Sequence, residues 1–243
     1  MLDIATYESD ANEHQRDLVV LHGAPVTPTS VEVLVEHLSR SHRVFVPDIS
    51  GLGLPPDEAR DALEAALLDV GVESPTLVGH SFGSYRAFQL ALSGELDIDR
   101  IVALSPLSHY PDEVRQEHLE LAAGLEAGAI DVPTLVEALK PQWASDDFLD
   151  EHPEFTEEVR EWLEAYGEDG LIDYVRVEAD IADLRPALEQ LDTPVYIRVG
   201  SDDEATPAAW SRELVDCLPD ARLDVVEGAG HFIHREDTAG TLE

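Results

Sequence analysis

The chain of 243 residues is poor in cysteine, methionine and basic side chains. Its single cysteine, Cys217, excludes an internal disulfide and a zinc cluster built on cysteine ligands. No window reaches the ~18 consecutive apolar residues that a membrane-spanning helix needs. The opening stretch "MLDIATYESDANEHQRD" also lacks the basic and apolar regions of a signal peptide. These absences predict a cytoplasmic protein that does not associate with membranes.

Basic residues are far outnumbered by acidic ones. Asp and Glu total 52 against 15 Lys plus Arg, the formal net charge is −37, and Lys140 is the only lysine. Such a surface repels nucleic acid and anionic membranes, so neither is expected as a partner. At about 1 M salt the screening length falls to ~3 Å, which largely removes the self-repulsion. The composition resembles that of proteins from salt-accumulating halophiles; an ordinary acidic cytosolic protein is the alternative.

Hydrophobic residues make up 44% of the chain and fall in periodic segments, which favours one sizeable core over disorder. Short apolar runs, among them "DLVVLHG", "PTLVGHS" and "PVYIRVG", alternate with helical patterns. One such pattern, "SVEVLVEHLSRS", predicts a helix with Ser30 as its N-cap. Apolar strands that alternate with helices predict an α/β fold, with a mostly parallel sheet covered by helices on both faces.

The interval 107–193 breaks this alternation. It shows no convincing strand, its helical patterns are short, and it is rich in aromatic residues. We expect a helical lid inserted into a core formed by residues 1–106 and 194–243. Most of the aromatic side chains are expected to pack the lid helices together, and a few to line a pocket. The candidate substrate-binding residues are Tyr110, Trp143 and Phe148.

The segment Gly79-His80-Ser81-Phe82-Gly83 fits the pattern G-x-S-x-G, with a predicted strand before it and a helix after it. A serine on a sharp strand-to-helix turn has an exposed hydroxyl and a strained backbone, and the two glycines relieve the crowding. The dipole of the following helix favours negative charge at its N-terminus. Ser81 is therefore the candidate nucleophile; a purely structural turn serine is the alternative.

A base and an acid are expected late in the chain. His231 follows a glycine-rich loop after the last predicted strand, and a neutral imidazole can accept the serine proton near pH 7. His234 is the second choice, and a metal site at these two histidines lacks a matching ligand motif. Asp202 and Asp203 follow another strand, where a carboxylate can orient the imidazole. Either aspartate could instead be a solvated loop charge or a helix cap.

An oxyanion hole needs two backbone N–H donors. Phe82, the residue after the candidate nucleophile, supplies one. The second is expected in "LHGAPVTP", where Ala24 has an N–H and Pro25 has none. His22 is expected to orient this loop and not to act as a base.

With these pieces in order, the chain resembles the α/β-hydrolase superfamily over nearly its full length. "LVVLHGAP" is similar to the family's oxyanion loop, "GHSFG" to its nucleophile elbow, "GSDDEATP" to its acid loop and "GAGHFIHRED" to its histidine loop. The family's spacing of the acid between a glycine and a proline selects Asp203 over Asp202. The resemblance implies a mostly parallel sheet, a helical lid after the sixth strand, a Ser81–Asp203–His231 triad and no cofactor.

The chain departs from the family pattern in its glycine turn, in the region before Leu18 and in a short final helix after His234. The usual G-x-G-x-S turn reads Gly51-Leu52-Gly53-Leu54, and the region before Leu18 is too polar for two clear strands, so fewer than eight are expected. A serine at the elbow, where epoxide hydrolases and haloalkane dehalogenases carry aspartate, argues against those two activities.

The resemblance implies a serine hydrolase of a small to medium, partly hydrophobic ester or lactone, acting through an acyl-enzyme on Ser81. The alternatives are a carbon–carbon bond hydrolase or enol-lactonase-like enzyme, or a non-hydrolytic lyase, cofactor-free oxygenase or ligand-binding member. The expected partner is a small-molecule substrate, and the sequence leaves the oligomeric state open.

Overall fold

The computed structural model describes residues 2–8, 16–50, 52 and 56–242. Seven strands in this part of the chain form one sheet. The strands are β1 (Ile4–Tyr7), β2 (Asp17–Leu21), β3 (Arg43–Pro47), β4 (Thr76–His80), β5 (Arg100–Leu104), β6 (Val195–Gly200) and β7 (Ala221–Val226). The predicted alternation of apolar runs and helices therefore gives the predicted α/β class.

The sheet has the order β1-β3-β2-β4-β5-β6-β7. Strand β1 pairs antiparallel with β3, with Ile4 opposite Pro47, and every other pairing is parallel. In the centre, Val20 of β2 lies beside Val78 of β4. The carboxyl ends of β4, β5 and β6 therefore meet at one edge of the sheet, which is where ligands bind in open α/β sheets.

The central strands are apolar on both faces because both faces are covered. Val19 and Leu21 of β2 join the core cluster on one side, and Leu18 and Val20 join the cluster on the other. The helices that cover the sheet are α1 (Glu32–Leu38), α2 (Pro56–Asp69), α3 (Phe82–Ser93), α8 (Arg185–Leu188), α9 (Ala208–Cys217) and α10 (Ile233–Glu236). Helices α1 and α10 contribute to one face, and α2, α3, α8 and α9 to the other. The prediction of a sheet covered on both faces is confirmed.

Four helices lie between β5 and the short helix α8, and we call them the helical insert. They are α4 (Asp112–Glu126), α5 (Val132–Trp143), α6 (Asp146–Glu151) and α7 (Phe155–Ala179). Two of them begin at capped residues: the Asp131 carboxylate accepts from Thr134 N–H, and the Ser145 hydroxyl oxygen accepts from Phe148 N–H. Their buried side chains form a third apolar cluster, in which Phe82 from the start of α3 also packs.

Two details of the sequence analysis need comment. Ser30 is not an N-cap, because a 3₁₀ helix (Pro28–Val31) precedes α1 and the buried Ser30 hydroxyl has no hydrogen-bond partner in the described chain. Of the turn at 51–54, only Leu52 lies among the described residues. Within the described ranges, no helix combines the length and the apolar character needed to cross a membrane.

Several basic side chains in the structure are held by carboxylates. Arg43 bonds Asp17 through two nitrogens at 2.8 and 2.7 Å. Arg198, only 4% exposed, lies between Asp224 at 3.0 Å and Asp237 at 2.6 Å. Since acidic residues outnumber basic ones 52 to 15, most carboxylates cannot have such a partner. The excess charge is therefore left to the solvent and its ions.

We expect the melting temperature to rise as KCl is raised from 0.1 M to 1 M, because salt screens the repulsion among unpaired carboxylates. A few kcal/mol of relieved repulsion corresponds to roughly 5–10 °C for a domain of this size. Circular dichroism melts over a KCl series measure this. Screening is nearly complete at about 1 M, so most of the gain should occur below it. A flat curve between the two concentrations would contradict the expectation.

Candidate active site

Ser81 occupies a strained turn between β4 and α3. Its φ of 52° lies in the left-handed region that side chains rarely adopt, and its ψ is −120°. Two backbone hydrogen bonds hold this conformation: Ser81 N–H donates to Leu104 O at 2.9 Å, and Ser84 N–H donates to Ser81 O at 2.9 Å. A non-glycine residue persists in such a conformation only where the surrounding structure enforces it.

The two glycines of the motif are required by close packing around this turn. A Cβ at Gly83 would lie 2.1 Å from Leu21 O, which belongs to the neighbouring strand β2. A Cβ at Gly79 would lie 2.6 Å from the Ser84 backbone. Since real Cβ atoms do not approach other atoms so closely, only glycine lets α3 start directly against the sheet.

Asp203 and His231 are brought together at the same edge of the sheet. His231 Nδ1 lies 3.0 Å from Asp203 Oδ2 and 3.1 Å from Oδ1, and both residues are 4% exposed. An Nδ1–H that donates to the carboxylate leaves Nε2 as the unprotonated nitrogen of a neutral imidazole. This is the tautomer that a general base for a serine hydroxyl needs.

The two rival residues lie elsewhere. Asp202 is exposed, and its carboxylate accepts a hydrogen bond from Ser201 Oγ at 2.7 Å. His234 is fully buried, and its Nε2–H donates to Ser30 O at 3.1 Å. The structure therefore places Asp203 beside His231, and it places neither Asp202 nor His234 there.

Ser81 and His231 line a common cavity of about 470 Å³. Within the described residues, no direct hydrogen bond joins the Ser81 hydroxyl to the His231 ring. Catalytic hydrogen bonds are often long before a substrate is bound, so shared access to one cavity is the relevant observation. The wall formed by the helical insert is largely apolar, and its members include Leu121, Leu135, Leu139, Trp143, Leu171 and Val175.

The candidate substrate-binding residues divide into two groups. Tyr110 and Trp143 line the cavity. Phe148 does not: its ring packs edge-on against Phe155 at 5.4 Å and beside His152 at 4.4 Å. Phe148 belongs to the apolar cluster that holds the helical insert together.

The two candidate oxyanion donors lie close to Ser81. Phe82 is the first residue of α3, so its N–H is one of the free donors at a helix N-terminus. Ala24 lines the cavity, next to Gly23. His22 fixes this loop, since its Nδ1–H donates to Gly23 O at 2.7 Å and its Nε2 accepts from Ile49 N–H at 3.1 Å.

Thr206 also holds the Asp203 carboxylate, and its hydroxyl lies 3.2 Å from His231 Nδ1. Its backbone N–H donates to Asp203 Oδ1 at 2.8 Å, and its hydroxyl lies 3.0 Å from Oδ2. The sequence analysis did not single it out. No residue type marks this contact in the sequence, because the first bond comes from a backbone N–H, and aspartate side chains commonly accept from backbone N–H groups nearby.

Glu236 ties the loop that carries His231 to the helical insert. Its carboxylate accepts from Gly230 N–H at 3.0 Å and from the Ser145 hydroxyl at 2.6 Å. Phe232 N–H donates to Trp143 O at 2.8 Å and so provides a second link. No sequence pattern marks Glu236, because its partner Ser145 lies 91 positions away in the chain.

Two buried histidines support the catalytic candidates without entering the cavity wall. His80 Nε2–H donates to His231 O at 3.0 Å, and the His80 ring lies 4.4 Å from that of His234. Burial lowers the pKa of His80 well below its ordinary value, and the neighbouring histidines lower it further. Burial also lowers the pKa of His234, to about 3. Both rings are therefore neutral in the folded protein at neutral pH.

Among the described residues, no group of three or more His, Cys, Asp or Glu side chains could hold a metal ion. The chemistry available at this edge of the sheet is that of a serine hydroxyl, an imidazole and a carboxylate.

The sequence and the fold are similar to those of known proteins. The profile of the Alpha/beta hydrolase family matches residues 18–243. The chain is 27% identical to the magnesium-chelatase 30 kDa subunit of Rhodobacter capsulatus, over 89% of this chain and 81% of that protein. It is 29% identical to the putative carbamate hydrolase RutD of Cronobacter sakazakii, over 80% and 75%. Its fold is similar to that of a thermophilic esterase from Thermogutta terrifontis, with a TM-score of 0.83 and 22% identity, over 98% and 88%.

We expect acid to destabilise the protein through its buried histidines. The pKa of His234 is about 3 in the folded state and ~6.5 when unfolded, so only the unfolded chain binds this proton between those values. The stability that the neutral ring contributes is thus present above pH 6.5 and is lost as the pH falls. At pH 4.5 the loss from His234 alone amounts to roughly 2–3 kcal/mol relative to pH 7.

The measurement is the free energy of unfolding in urea across pH 4.5–7 for the wild type and His234→Gln. In the variant the free energy of unfolding should change less steeply with pH, by the equivalent of about one bound proton, whatever its absolute stability. An unchanged slope in His234→Gln would rule out this linkage.

Proposed function

Because the chain belongs to the α/β hydrolase family, we propose that it is a serine hydrolase of carboxylic esters or lactones with Ser81 as nucleophile. The observation that carries this proposal is the common cavity of Ser81 and His231, with His231 hydrogen-bonded to Asp203. The similarity to a protein named as a putative carbamate hydrolase supports it, since a carbamate is also cleaved at a carbonyl carbon.

In the proposed reaction His231 Nε2 takes the Ser81 proton as the serine oxygen attacks the substrate carbonyl carbon. Asp203 orients the ring through Nδ1–H and stabilises the imidazolium that forms. The imidazolium then gives its proton to the leaving alcohol oxygen as the bond from carbon to that oxygen breaks. Water, activated by the same imidazole, attacks the acyl-enzyme and releases the acid and the free serine.

The developing oxyanion is assigned to the backbone N–H groups of Ala24 and Phe82. The N-terminus of α3 adds favourable electrostatics, because its dipole points at the turn that carries Ser81.

We assign the role of a lid to the predicted interval 107–193, which contains the helical insert. Its support is that residues of α4, α5 and α7 form much of the cavity wall opposite the sheet. A cavity of about 470 Å³ with a largely apolar wall suits a small or medium acyl group.

We expect Ser81→Ala to reduce hydrolysis of a short p-nitrophenyl ester in molar KCl by at least 10³-fold, because the acyl-enzyme cannot form. The substitution removes one hydroxyl from a turn held by backbone bonds, so the melting temperature should stay near that of the wild type. Release of p-nitrophenol is the readout. Wild-type turnover in this variant would refute the mechanism.

The two adjacent aspartates provide a matched pair of variants. Asp203→Asn removes the charge beside His231 and should lower kcat by about 10⁴-fold, the effect of the same change in a Ser-His-Asp triad. Asp202→Asn removes the same charge one residue away, on an exposed side chain, and should leave kcat within twofold. Equal effects of the two substitutions would show that Asp203 has no special role.

A non-hydrolytic role is the second candidate, and the similarity to a magnesium-chelatase subunit is the observation that favours it. Fold alone does not fix function. Labelling with a fluorophosphonate probe separates the two, since only an activated serine reacts. Labelling of the wild type and not of Ser81→Ala supports the hydrolase; absence of labelling in both supports a binding role.

A further inference from the structure

A polar cluster interrupts the apolar wall of the cavity. Four side chains form it, and we call them the Glu178 cluster: Tyr110, His118, Tyr174 and Glu178. All four line the same cavity as Ser81 and His231. Glu178 is only 6% exposed, which is rare for a carboxylate without a functional or structural reason.

Two members of the cluster hold the Glu178 carboxylate. The Tyr110 hydroxyl donates to Oε1 at 3.0 Å, and His118 Nε2 lies 3.1 Å from Oε2. The other ring nitrogen, His118 Nδ1, lies 2.7 Å from Val114 O. Since both nitrogens face acceptors, both must donate, and the ring is an imidazolium. Burial alone would lower the His118 pKa, but the hydrogen bond and the charge of Glu178 outweigh it and raise the pKa.

The fourth member, Tyr174, lies beside the Glu178 carboxylate, but its hydroxyl makes no hydrogen bond of normal geometry to it. Its side chain is buried, with 9% exposed, and its hydroxyl has no hydrogen-bond partner among the described residues. Burial and the Glu178 charge raise its pKa well above 10, so the hydroxyl keeps its proton. Buried hydroxyl groups without a partner are uncommon and call for an explanation. Linking α4 to α7 does not explain it, because the contact of His118 with Glu178 already makes that link.

The charge around the cluster restricts which chemical group could form a hydrogen bond with the Tyr174 hydroxyl. The Glu178 carboxylate and the His118 imidazolium cancel each other. Two further carboxylates, Glu117 and Glu204, line the cavity and are exposed. The remaining potential is therefore negative and disfavours an anionic group. A neutral group that can both accept and donate fits best, since each Glu178 oxygen keeps one free lone pair.

We propose that the Glu178 cluster is a specificity site that binds a hydroxyl group on the part of the substrate seated in this cavity. The inference rests on the proposed hydrolase function and narrows its substrates to neutral hydroxy esters. The Tyr174 hydroxyl donates to the substrate oxygen, and the substrate hydroxyl donates to a Glu178 oxygen. A substrate with a methyl group at that point leaves both protein groups without a partner, which is how polar sites reject apolar analogues.

Turnover of isosteric ester pairs tests the proposal. The acyl pair is p-nitrophenyl 6-hydroxyhexanoate and p-nitrophenyl heptanoate, and the mono-ester of adipate is the anionic member. The alcohol pair is 1,6-hexanediol monoacetate and heptyl acetate, followed by pH-stat. We expect kcat/KM to be about tenfold higher for the hydroxy ester in one pair, the size of one neutral hydrogen bond, and lowest for the adipate ester. Ratios near one in both pairs, or preference for adipate, would overturn the proposal.

Tyr174→Phe tests the residue itself, since it deletes only a hydroxyl that has no partner and should not disturb the fold. The ratio of hydroxy to methyl ester should fall to about one in this variant. Tyr166→Phe is the matched control, from the part of α7 before the break at Gly167: its hydroxyl donates to Val26 O at 3.3 Å and does not line the cavity. It should keep the wild-type ratio. An unchanged ratio of kcat/KM in Tyr174→Phe would show that the Tyr174 hydroxyl does not bind the substrate hydroxyl.

A binding measurement keeps this test separate from the proposed function. Ser81→Ala can be titrated with methyl 6-hydroxyhexanoate and with methyl heptanoate, with the fluorescence of Trp143 and Trp210 in the cavity wall as the signal. Tighter binding of the hydroxy ester by about tenfold supports the cluster even if the wild type hydrolyses no ester. Ester hydrolysis by the wild type with equal binding of the two ligands upholds the hydrolase and overturns the specificity site.

Discussion

The geometry of the site depends on one backbone constraint, the left-handed conformation of Ser81 between β4 and α3. It is maintained by hydrogen bonds to Leu104 and Ser84 and by contacts that only Gly79 and Gly83 permit. The constraint sets the start of α3 and the direction of its dipole. It also places the Ser81 side chain in the cavity wall, a position that a relaxed turn would not give it. A local strain is thus balanced by the packing of the whole central sheet.

The Asp203–His231 pair is held differently, through hydrogen bonds from distant parts of the chain. Thr206 fixes the carboxylate, His80 holds the backbone carbonyl of His231, and Glu236 holds the loop before it. Each of these partners supplies a directed bond to a group whose position would otherwise vary with a glycine-rich loop. Such supporting bonds place reactive groups to within fractions of an ångström, which catalysis requires.

The sequence allowed the architecture to be predicted, because it depends on local pattern and chain order. Apolar runs marked the strands, and the glycines around Ser81 marked the turn. Side-chain partners across the fold were not predictable: Glu236 meets Ser145 only after the chain has folded, and the position of Phe148 depends on how α6 packs. Ser30 failed as a cap for a related reason, since a 3₁₀ turn before α1 buries it. Periodicity shows which face of a helix is buried, and it says nothing of which neighbour buries it.

The bond from Glu236 to Ser145 has a consequence for exchanging segments between family members. A chimaera that received the segment from α5 to α6 from another sequence would lose Ser145, whose hydroxyl donates to the Glu236 carboxylate. It would thereby lose one of the contacts that hold the loop of His231. The donor segment would have to bring an equivalent hydroxyl or be accompanied by a change at position 236. In this protein the helical segment around Ser145 and the loop that carries the His231 imidazole therefore have to be exchanged together.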